Sequence, residues 1–211
     1  MVEKIIKRVG IMFVISSPSG AGKTTLAKRL LKDDKNIELS ISCTTRKRRA
    51  EEVNEKDYIF INEKDFDKMV KEKKFLEHAV VFGNKYGTPK EAVIKKLVLG
   101  KDILFDIDWQ GTQALREKEP KNVVSVFILP PSKNVLEKRL IKRAQDSKNE
   151  VKKRMAKANS EITHWPEYDY LIINDNLEET SKKLKAILIA ERLKRSRQTG
   201  LNDFVREILL L

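Results

Sequence analysis

The chain has a single cysteine, Cys43, among its 211 residues, so no disulfide can form within it. This usage is typical of a reducing compartment, and we expect a cytoplasmic protein. Apolar runs are also short. None approaches the roughly 20 residues that a membrane-spanning helix needs, so we expect no membrane association. Internal repeats and low-complexity segments are missing as well. These absences argue against disulfide-stapled, membrane-spanning and repetitive proteins.

Acidic residues are in the minority, with 31 Asp and Glu against 44 Lys and Arg, and the formal net charge is +13. A basic balance suits an anionic ligand, either a nucleic acid or the phosphates of a nucleotide. The lysines are spread along the chain and form no basic tail, which is typical of a solvated surface. We therefore expect a nucleotide ligand and no nucleic-acid partner. Hydrophobic residues make up 40% of the chain, enough for the core of one domain.

The sequence SSPSGAGKTTL at 16–26 has the pattern of a phosphate-binding loop. Before it, the apolar run at 10–15 predicts a buried strand, and after it the segment 24–31 predicts a helix. The usual pattern begins with glycine, where this chain has Ser17. Because the short pattern also occurs by chance, the strand and the helix on either side are the context that supports the prediction.

The chemistry of such a loop depends mainly on its backbone. Gly20 and Gly22 allow successive N–H groups to point at one anion. The helix that follows adds its positive N-terminal dipole and its unpaired N–H groups. Lys23 can reach the outer phosphates of a nucleotide, and the Thr24 hydroxyl can bind Mg²⁺. The loop therefore predicts binding of a nucleoside triphosphate.

Short apolar runs alternate with helical segments along most of the chain. The runs at 103–108, 123–129 and 170–174 predict buried strands, and this alternation is typical of a parallel sheet covered by helices on both faces. The region 42–89 interrupts the pattern and predicts an inserted lobe of mixed or antiparallel sheet. A polar break at 146–149 divides two helices and predicts the tip of a lid.

Three further segments are predicted from local patterns. Alternating apolar and polar residues predict one strand over 37–43. A helix is predicted over 177–197, with Gly200 as the residue that closes it. A short amphipathic helix is predicted over 201–211.

Arginines occur in two separated groups. Arg46 and Arg49 lie in a basic turn, Arg139 and Arg143 lie four residues apart on one predicted helix, and Arg154 lies on the next. The planar, permanently charged guanidinium suits phosphate because it can donate two parallel hydrogen bonds. Each arginine alone is more typical of surface charge. Together, and with a phosphate loop, they favour phosphoryl-transfer chemistry.

Three acidic residues stand out because they lie in or beside apolar strands. Asp106 and Asp108 end the strand at 103–108, at the edge where parallel sheets bind ligands, and residues two apart face one side of a strand. They either hold a magnesium-bound water or a base, or bond the backbone or cap a helix. Glu77 lies in the apolar segment 75–82 and is either a buried acid in need of a partner or an exposed edge residue. A buried carboxylate can accept N1–H and N2–H₂ of guanine, whereas adenine presents an acceptor at N1.

Taken together, several segments closely resemble the guanylate kinases, nucleoside monophosphate kinases of the phosphate-loop class. The segments are PSGAGKTT at 18–25, SISCTTRKRRAEEVNEKDYIF at 40–60, FLEHA at 75–79, YGTP at 86–89, DIDWQG at 106–111 and YDYLIIND at 168–175. The resemblance implies an α/β fold: a P-loop NTPase three-layer α/β/α core with a parallel sheet, an inserted mixed-sheet GMP-binding lobe and a helical lid. Within a single domain spanning 1–211, it implies a core of 1–41, 90–131 and 151–211, a GMP-binding lobe of 42–89 and a lid of 132–150.

The resemblance also assigns residues to the two nucleotides. For ATP it implies the loop and one distant asparagine, namely Ser17, Pro18, Ser19, Gly20, Ala21, Gly22, Lys23, Thr24, Thr25 and Asn174, the last near the adenine. For GMP it implies Ser42, Arg46, Arg49, Tyr58, Glu77, Tyr86, Thr88, Asp106 and Asp108. The catalytic set it implies is Lys23, Arg46, Arg139, Arg143 and Arg154. Mg²⁺ would be held by Thr24 and, through water, by Asp106.

Within the GMP set, the resemblance gives different residues different tasks. Ser42 would bond O6 of guanine, while Glu77 and Asp108, helped by Thr88, would read N1 and N2. The GMP phosphate would be held by Arg46, Arg49, Tyr58 and Tyr86.

Two departures from the family's pattern concern loops. Bacterial members resemble this chain in tolerating a small non-glycine residue at the position of Ser17. The family often carries glycine where this chain has Glu51 and Glu55, which puts the shape of the loop between Arg49 and Tyr58 in doubt.

The implied activity is that of an ATP:GMP phosphotransferase, with Mg-dependent transfer of the γ-phosphoryl group of ATP to GMP, and also to dGMP, in purine nucleotide metabolism. Transfer to GMP would give GDP and ADP by a direct, in-line reaction. One alternative is a non-catalytic guanylate-kinase-like binding module, although such modules lose the phosphate loop that is intact here. Another is a phosphate-loop kinase with a different acceptor. Whether the protein is a monomer or a homo-oligomer stays open.

Overall fold

The computed structural model describes residues 6–81, 83–143 and 148–209. They form two sheets with helices packed around them. In chain order the strands and helices are β1 (Met12–Ser16), α1 (Lys23–Asp33), β2 (Ile37–Leu39), β3 (Cys43–Thr44), β4 (Ile59–Phe60), α2 (Glu63–Lys71), β5 (Phe75–Val81), β6 (Asn84–Pro89), α3 (Lys90–Val98), β7 (Asp102–Asp106), α4 (Trp109–Lys118), β8 (Val123–Leu129), α5 (Lys133–Arg143), α6 (Lys148–Ile162), β9 (Tyr170–Ile173), α7 (Leu177–Arg192) and α8 (Leu201–Leu209).

The larger sheet is parallel throughout, with the strand order β2-β7-β1-β8-β9. Every residue of β1 is buried, and its side chains alternate between the two faces. Phe13 and Ile15 pack with residues of α1 and α7, whereas Met12 and Val14 pack with residues of α3 and α4. This arrangement confirms the predicted three-layer α/β/α core.

Strand β1 lies at the centre of this sheet, and its neighbours β7 and β8 come from later in the chain. In open parallel sheets, ligands bind beyond the carboxyl ends of the strands, where the strand order reverses. The loop between β1 and α1 lies at this point. Because Ile15 is paired in register with Asp106, the ends of β1 and β7 lie side by side there.

The smaller sheet has the order β4-β3-β6-β5. Its β3–β4 pair is parallel, whereas β6 pairs antiparallel with both β3 and β5, so the sheet is mixed as predicted. Cys43, Phe66 and Phe75 form its buried core with partly buried side chains of β4 and α2. The rings of Phe66 and Phe75 stack with centroids 4.7 Å apart. This lobe therefore has a core of its own, much smaller than that of the parallel sheet.

The prediction of one strand over 37–43 is wrong, because the chain changes sheets within it. The N–H of Ser40 still donates to Leu104 of β7, but the carbonyl of Ser42 accepts from Ile59 of β4. The segment is therefore divided into β2 in the parallel sheet and β3 in the mixed sheet.

The predicted end of the long helix at residue 197 also needs correction. Helix α7 ends at Arg192, and a separate 3₁₀ turn covers Arg195–Arg197. The side chain of Gln198 donates to the carbonyl of Arg192 at 2.6 Å, which satisfies a group at the helix end. Gly200 does not close this helix; its carbonyl accepts the N–H of Phe204 in α8.

Helices α5 and α6 pack against each other: α5 and the first residues of α6 belong to the predicted lid, and the rest of α6 belongs to the predicted core. Leu136 and Leu140 of α5 are buried against Met155 and Ala158 of α6. Residues 144–147, inside the predicted lid, lie outside the described residues. Within the described ranges, no helix is both long and apolar enough to cross a bilayer.

Candidate active site

The loop between β1 and α1 depends on two glycines. Gly20 and Gly22 have φ of 91° and 100°, in the left-handed region that favours glycine. A Cβ at Gly20 would lie 3.1 Å from side-chain atoms of Leu136 and Leu140. A Cβ at Gly22 would lie 2.5 Å from Nδ2 of Asn174. Glycine therefore allows both the turn and the close packing of later segments on the loop.

The loop borders a cavity of about 420 Å³. Its lining consists of Ser17, Pro18, Ser19, Gly20, Gly22, Lys23, Thr24, Thr25, Asp108, Arg139 and Glu161. All residues predicted for ATP line the cavity except Ala21 and Asn174, which are both buried. Helix α1 begins at Lys23, so its N-terminal N–H groups and its dipole point to this cavity. The arrangement suits an anion with several oxygens.

Lys23 lies between the loop and the end of β7. Its Nζ lies 2.6 Å from Oδ1 of Asp106 and donates to the carbonyl of Ile107 at 3.3 Å. Asp106 is the exposed last residue of its strand. The structure thus brings together a predicted catalytic lysine and a predicted metal and GMP residue, from positions 83 residues apart in the sequence.

Asn174 is buried beside the phosphate loop and hydrogen-bonds to its backbone. Its Nδ2 donates to the carbonyl of Ala21 at 2.7 Å, and its backbone N–H donates to Leu129. Its Oδ1 is buried and has no hydrogen-bond partner among the described residues. Nη2 of Arg139, one of the predicted catalytic arginines, donates to the carbonyl of Asn174 at 3.4 Å. Asn174 therefore links α5 to the phosphate loop.

Glu77 lies buried at the centre of a polar cluster in the smaller sheet. Thr88 Oγ1 donates to its Oε1 at 2.6 Å, and Ser42 Oγ lies 3.4 Å from Thr88 Oγ1. Burial raises the pKa of Glu77, the Thr88 hydrogen bond opposes this, and the charge of Asp108 adds to the increase. The structure therefore selects the buried alternative and joins three residues predicted to read guanine.

Asp108 does not belong to strand β7, although the sequence places it there. It precedes α4 as the N-cap residue, and its Oδ1 accepts the N–H of Gly111 at 3.0 Å. The helix-cap alternative that the sequence left open therefore applies to Oδ1 of Asp108. Asp108 also lines the loop cavity and acts on Glu77, so it lies between the two clusters.

A third cluster combines arginine and tyrosine at the edge of the smaller sheet. The guanidinium of Arg46 lies 5.4 Å from the ring centroid of Tyr58 and 5.8 Å from that of Phe60. The rings of Tyr58 and Tyr86 lie 5.9 Å apart. Burial, followed by the neighbouring Tyr86, raises the pKa of Tyr58. Three of the residues predicted to hold the GMP phosphate are therefore neighbours.

Glu52 contacts two of the predicted arginines in this region, and the sequence did not indicate this role. Its Oε1 lies 2.6 Å from Nη2 of Arg46, and its Oε2 accepts the backbone N–H of Arg49 at 2.9 Å. The hydrogen bond from Arg46 lowers the pKa of Glu52. An acid three residues after a basic run was the available signal. Nearby, Glu55 has φ of 65°, so a residue where the family often has glycine takes a left-handed conformation.

Of the other arginines predicted for the site, two have described side chains and one does not. The side chain of Arg49 is exposed. Arg154 lies on α6 and is partly buried. The side chain of Arg143 lies outside the described residues, although its backbone ends α5. A second residue that the sequence did not indicate is Glu161 of α6, whose Oε2 accepts the N–H of Ser19 at 3.2 Å.

The fold and these clusters define a class. A phosphate loop at the switch point of a parallel sheet suits a nucleoside triphosphate. The adjoining lobe presents a buried carboxylate and an arginine–tyrosine cluster, which suit the base and the phosphate of a second, smaller nucleotide. The architecture is that of a phosphate-loop nucleoside monophosphate kinase.

Comparisons with known proteins identify the family. The family model described as guanylate kinase matches residues 10–191. The chain is 55% identical to a guanylate kinase of Nitrobacter winogradskyi, over 96% of this chain and 93% of that protein. It is 54% identical to a guanylate kinase of Paramagnetospirillum magneticum, over 96% and 95% of the two chains. The crystal structure of guanylate kinase from Anaplasma phagocytophilum matches with a TM-score of 0.76 and 37% identity, over 96% of each chain. The chain belongs to the guanylate kinase family, the ATP:GMP phosphotransferases.

Proposed function

We propose that this chain transfers the γ-phosphoryl group of ATP to GMP with Mg²⁺, and that the three clusters are its donor, base and acceptor-phosphate sites. The observation that carries the proposal is the buried Glu77 carboxylate, hydrogen-bonded to Thr88 and influenced by Asp108, which itself lines the phosphate-loop cavity. A carboxylate buried at this point needs a ligand that donates hydrogen bonds. Guanine, with N1–H and N2–H₂ side by side, is such a ligand.

On the donor side, the loop N–H groups and the N-terminus of α1 hold the phosphates of ATP. Lys23 exchanges its contact with Asp106 for the outer phosphates, and this change places its charge where the transferring group needs it. Arg139, at the cavity wall, adds a second charge, and Arg143 and Arg154 belong to the same set by resemblance. Loop residues and arginines together act by positioning and by stabilising charge.

The residues at the loop also fit Mg²⁺. Kinase sites hold this ion through one or two protein oxygens, with water and phosphate oxygens completing its shell. The exposed Thr24 at the first turn of α1 and the exposed Asp106 at the end of β7 provide such oxygens on the same edge of the sheet. Thr24 would bind the ion directly and Asp106 through water. When bound, the ion would neutralise charge on the phosphates.

On the acceptor side, Glu77 and Asp108 accept hydrogen bonds from the guanine edge, and Ser42 donates to O6. Arg46, Arg49, Tyr58 and Tyr86 hold the GMP phosphate and align it for in-line attack on the donor. These groups read only the base and the phosphate, which dGMP shares with GMP. We therefore propose dGMP as a second acceptor.

We also propose the division inferred from the resemblance: a core, a GMP-binding lobe of 42–89 and a lid of 132–150. Closure of the lobe and the lid over both nucleotides would exclude water and suppress ATP hydrolysis. Nucleotide metabolism of this kind fits a cytoplasmic protein.

A scan of acceptors tests the proposal. The purified chain is supplied with ATP and Mg²⁺ and with GMP, dGMP, AMP, UMP or IMP in turn, and formation of the diphosphate is measured. GMP is expected to be the best acceptor. IMP lacks the 2-amino group and is expected to react much more slowly, because one buried acceptor is left unpaired. Free hydrolysis of ATP without GDP formation would reject the proposal, and equal rates for AMP and GMP would reject the assignment of the base site.

A further inference from the structure

A carboxylate of helix α6 accepts a hydrogen bond from a backbone N–H of the phosphate loop. Glu161 lies in the last turn of α6, and its Oε2 accepts the backbone N–H of Ser19 at 3.2 Å. Its side chain is 15% exposed and lines the loop cavity with Lys23 and Arg139. The backbone N–H groups of such a loop are the ones that bind phosphate. Glu161 is therefore an anion at the edge of an anion-binding site.

The position of Glu161 in its own helix is electrostatically unfavourable. The C-terminal turn of a helix carries partial negative charge, so an acid there is repelled by the dipole. The last turn of α6 contains no basic residue, and Nζ of Lys157, one turn earlier, lies 3.8 Å from Oε1 of Glu161. Helix stability therefore does not account for a carboxylate at this point, whereas the positive end of α1 and the loop N–H do.

We propose that the Glu161 carboxylate is an internal competitor of the donor phosphates: it holds the Ser19 N–H while no phosphate is bound, and ATP must displace it. The inference rests on the proposed function, in which this loop binds the phosphates of ATP. Two like charges cannot share one site without repulsion, so the arrival of phosphate breaks the contact between α6 and the loop. Because α6 also carries Arg154, this exchange links donor binding to the position of α6.

The isosteric change Glu161→Gln tests the competition directly. It keeps an oxygen that can accept from Ser19 but removes the negative charge. The affinity for inorganic tripolyphosphate, which has the phosphates of ATP and no base, is measured by titration calorimetry for the full chain. We expect the variant to bind tripolyphosphate and ATP about 5- to 10-fold more tightly than wild type, because a charged competitor becomes a neutral one. The KM for ATP should fall in parallel, with the KM for GMP unchanged.

A matched control separates this effect from a general change of charge. Glu137 is exposed on α5, the helix packed against α6, and Glu137→Gln makes the same change in net charge. Its affinity for tripolyphosphate is expected to stay within twofold of wild type. Glu161→Ala removes the contact altogether and should also bind more tightly, and circular dichroism reports whether each variant is folded.

The outcomes distinguish this inference from the function on which it rests. Wild-type binding of tripolyphosphate with unchanged or weaker binding by Glu161→Gln would overturn the competition alone. An equal gain in Glu137→Gln would also overturn it, since net charge would then be the cause. If the wild type bound neither tripolyphosphate nor ATP, the proposed function would fail and the inference with it.

Discussion

The phosphate loop and the proposed GMP-binding lobe differ in the groups that they offer to a ligand. The loop presents backbone N–H groups held by a fully buried parallel strand and by two glycines with positive φ. The lobe presents side chains: Glu77, Thr88 and Ser42, which we propose bind the base, and Arg46 with its tyrosines, which we propose bind the phosphate. Backbone recognition depends on shape and tolerates a change such as serine at position 17. Side-chain recognition depends on the identity of each residue, so single substitutions should change specificity.

The two regions also differ in the size of the hydrophobic core that supports them. The loop is anchored by a core that includes both faces of β1 and parts of four helices. The lobe depends on a small cluster around Cys43, Phe66 and Phe75. Substitutions can therefore separate donor binding from acceptor binding, and four experiments examine this separation.

The largest effect is expected at Lys23. Replacing it by methionine removes the charge at the outer phosphates but keeps the bulk of the side chain. We expect kcat to fall by about 10²–10³-fold, the range seen when one transition-state donor is removed. The affinity for GMP, measured by calorimetry, should not change. Lys28→Met, on the exposed face of α1, is the control and should behave as wild type. An equal loss of GMP affinity would contradict the separation of the two regions.

Glu77→Gln should produce the converse result. The amide presents a donor where guanine also donates, so we expect kcat/KM for GMP to fall by about 100-fold. The KM for ATP should stay within twofold of wild type. Glu117→Gln, exposed on α4, makes the same charge change and should have no effect. Equal losses for both nucleotides would reject the role of Glu77 in reading the base.

Asn174→Ala tests whether the hydrogen bond from the Asn174 side chain stabilises the phosphate loop. The change leaves the carbonyl of Ala21 without its donor, a loss of about 1–3 kcal/mol when the group is buried. We expect the KM for ATP to rise about tenfold and binding of tripolyphosphate to weaken similarly. An adenine contact alone would weaken ATP but leave tripolyphosphate unchanged. Asn176→Ala, which removes the side-chain cap of α7, is the control and should lower thermal stability without changing the KM for ATP.

The smallest effect is expected from pH. Burial raises the pKa of Glu77 above its ordinary value of 4.5. As the pH falls through this raised pKa, Glu77 gains a proton and loses an acceptor for guanine. The kcat/KM for GMP should therefore fall severalfold, and the fall should begin at a higher pH than it would for an ordinary carboxylate. Protonation also relieves the burial of a charge, so Glu77's own contribution to stability is present at low pH and is lost as the pH rises through the folded pKa. A pH profile for GMP, compared with that of Glu77→Gln, checks this: the variant should lack the acidic limb.

Much of the fold could be predicted because its pattern is local. The buried run before the loop and the alternation of apolar runs with helices indicate a parallel sheet, and both are visible in single segments. Loop chemistry is equally local, since Gly20, Gly22, Lys23 and Thr24 are contiguous in a motif with a known physical role. The burial of Glu77 could be predicted only as one of two alternatives, because an acid in an apolar strand needs a partner that the strand itself does not identify.

The remaining errors have a common cause, which is that alternatives of similar local pattern differ only in their distant partners. The segment 37–43 alternates like a single strand, but β7 binds its first part and β4 binds its second. Asp108 looks like a strand residue, yet it caps α4 because the chain turns after Asp106. The contact of Glu161 with Ser19 joins residues 142 positions apart, and no local signal could indicate it.

The sequence by itself determined the class of fold and the phosphate loop, because hydrophobic periodicity and motif chemistry act over short distances. Only the tertiary structure decided which partner each charged side chain contacts. Asp102, fully buried at the start of β7, is paired with Arg8 and with Arg192 of α7, and Arg192 also holds Asp34. Lys23 is held by Asp106 and the Ser19 N–H by Glu161. Such pairings depend on the packing of whole helices against a sheet, and therefore on the complete fold.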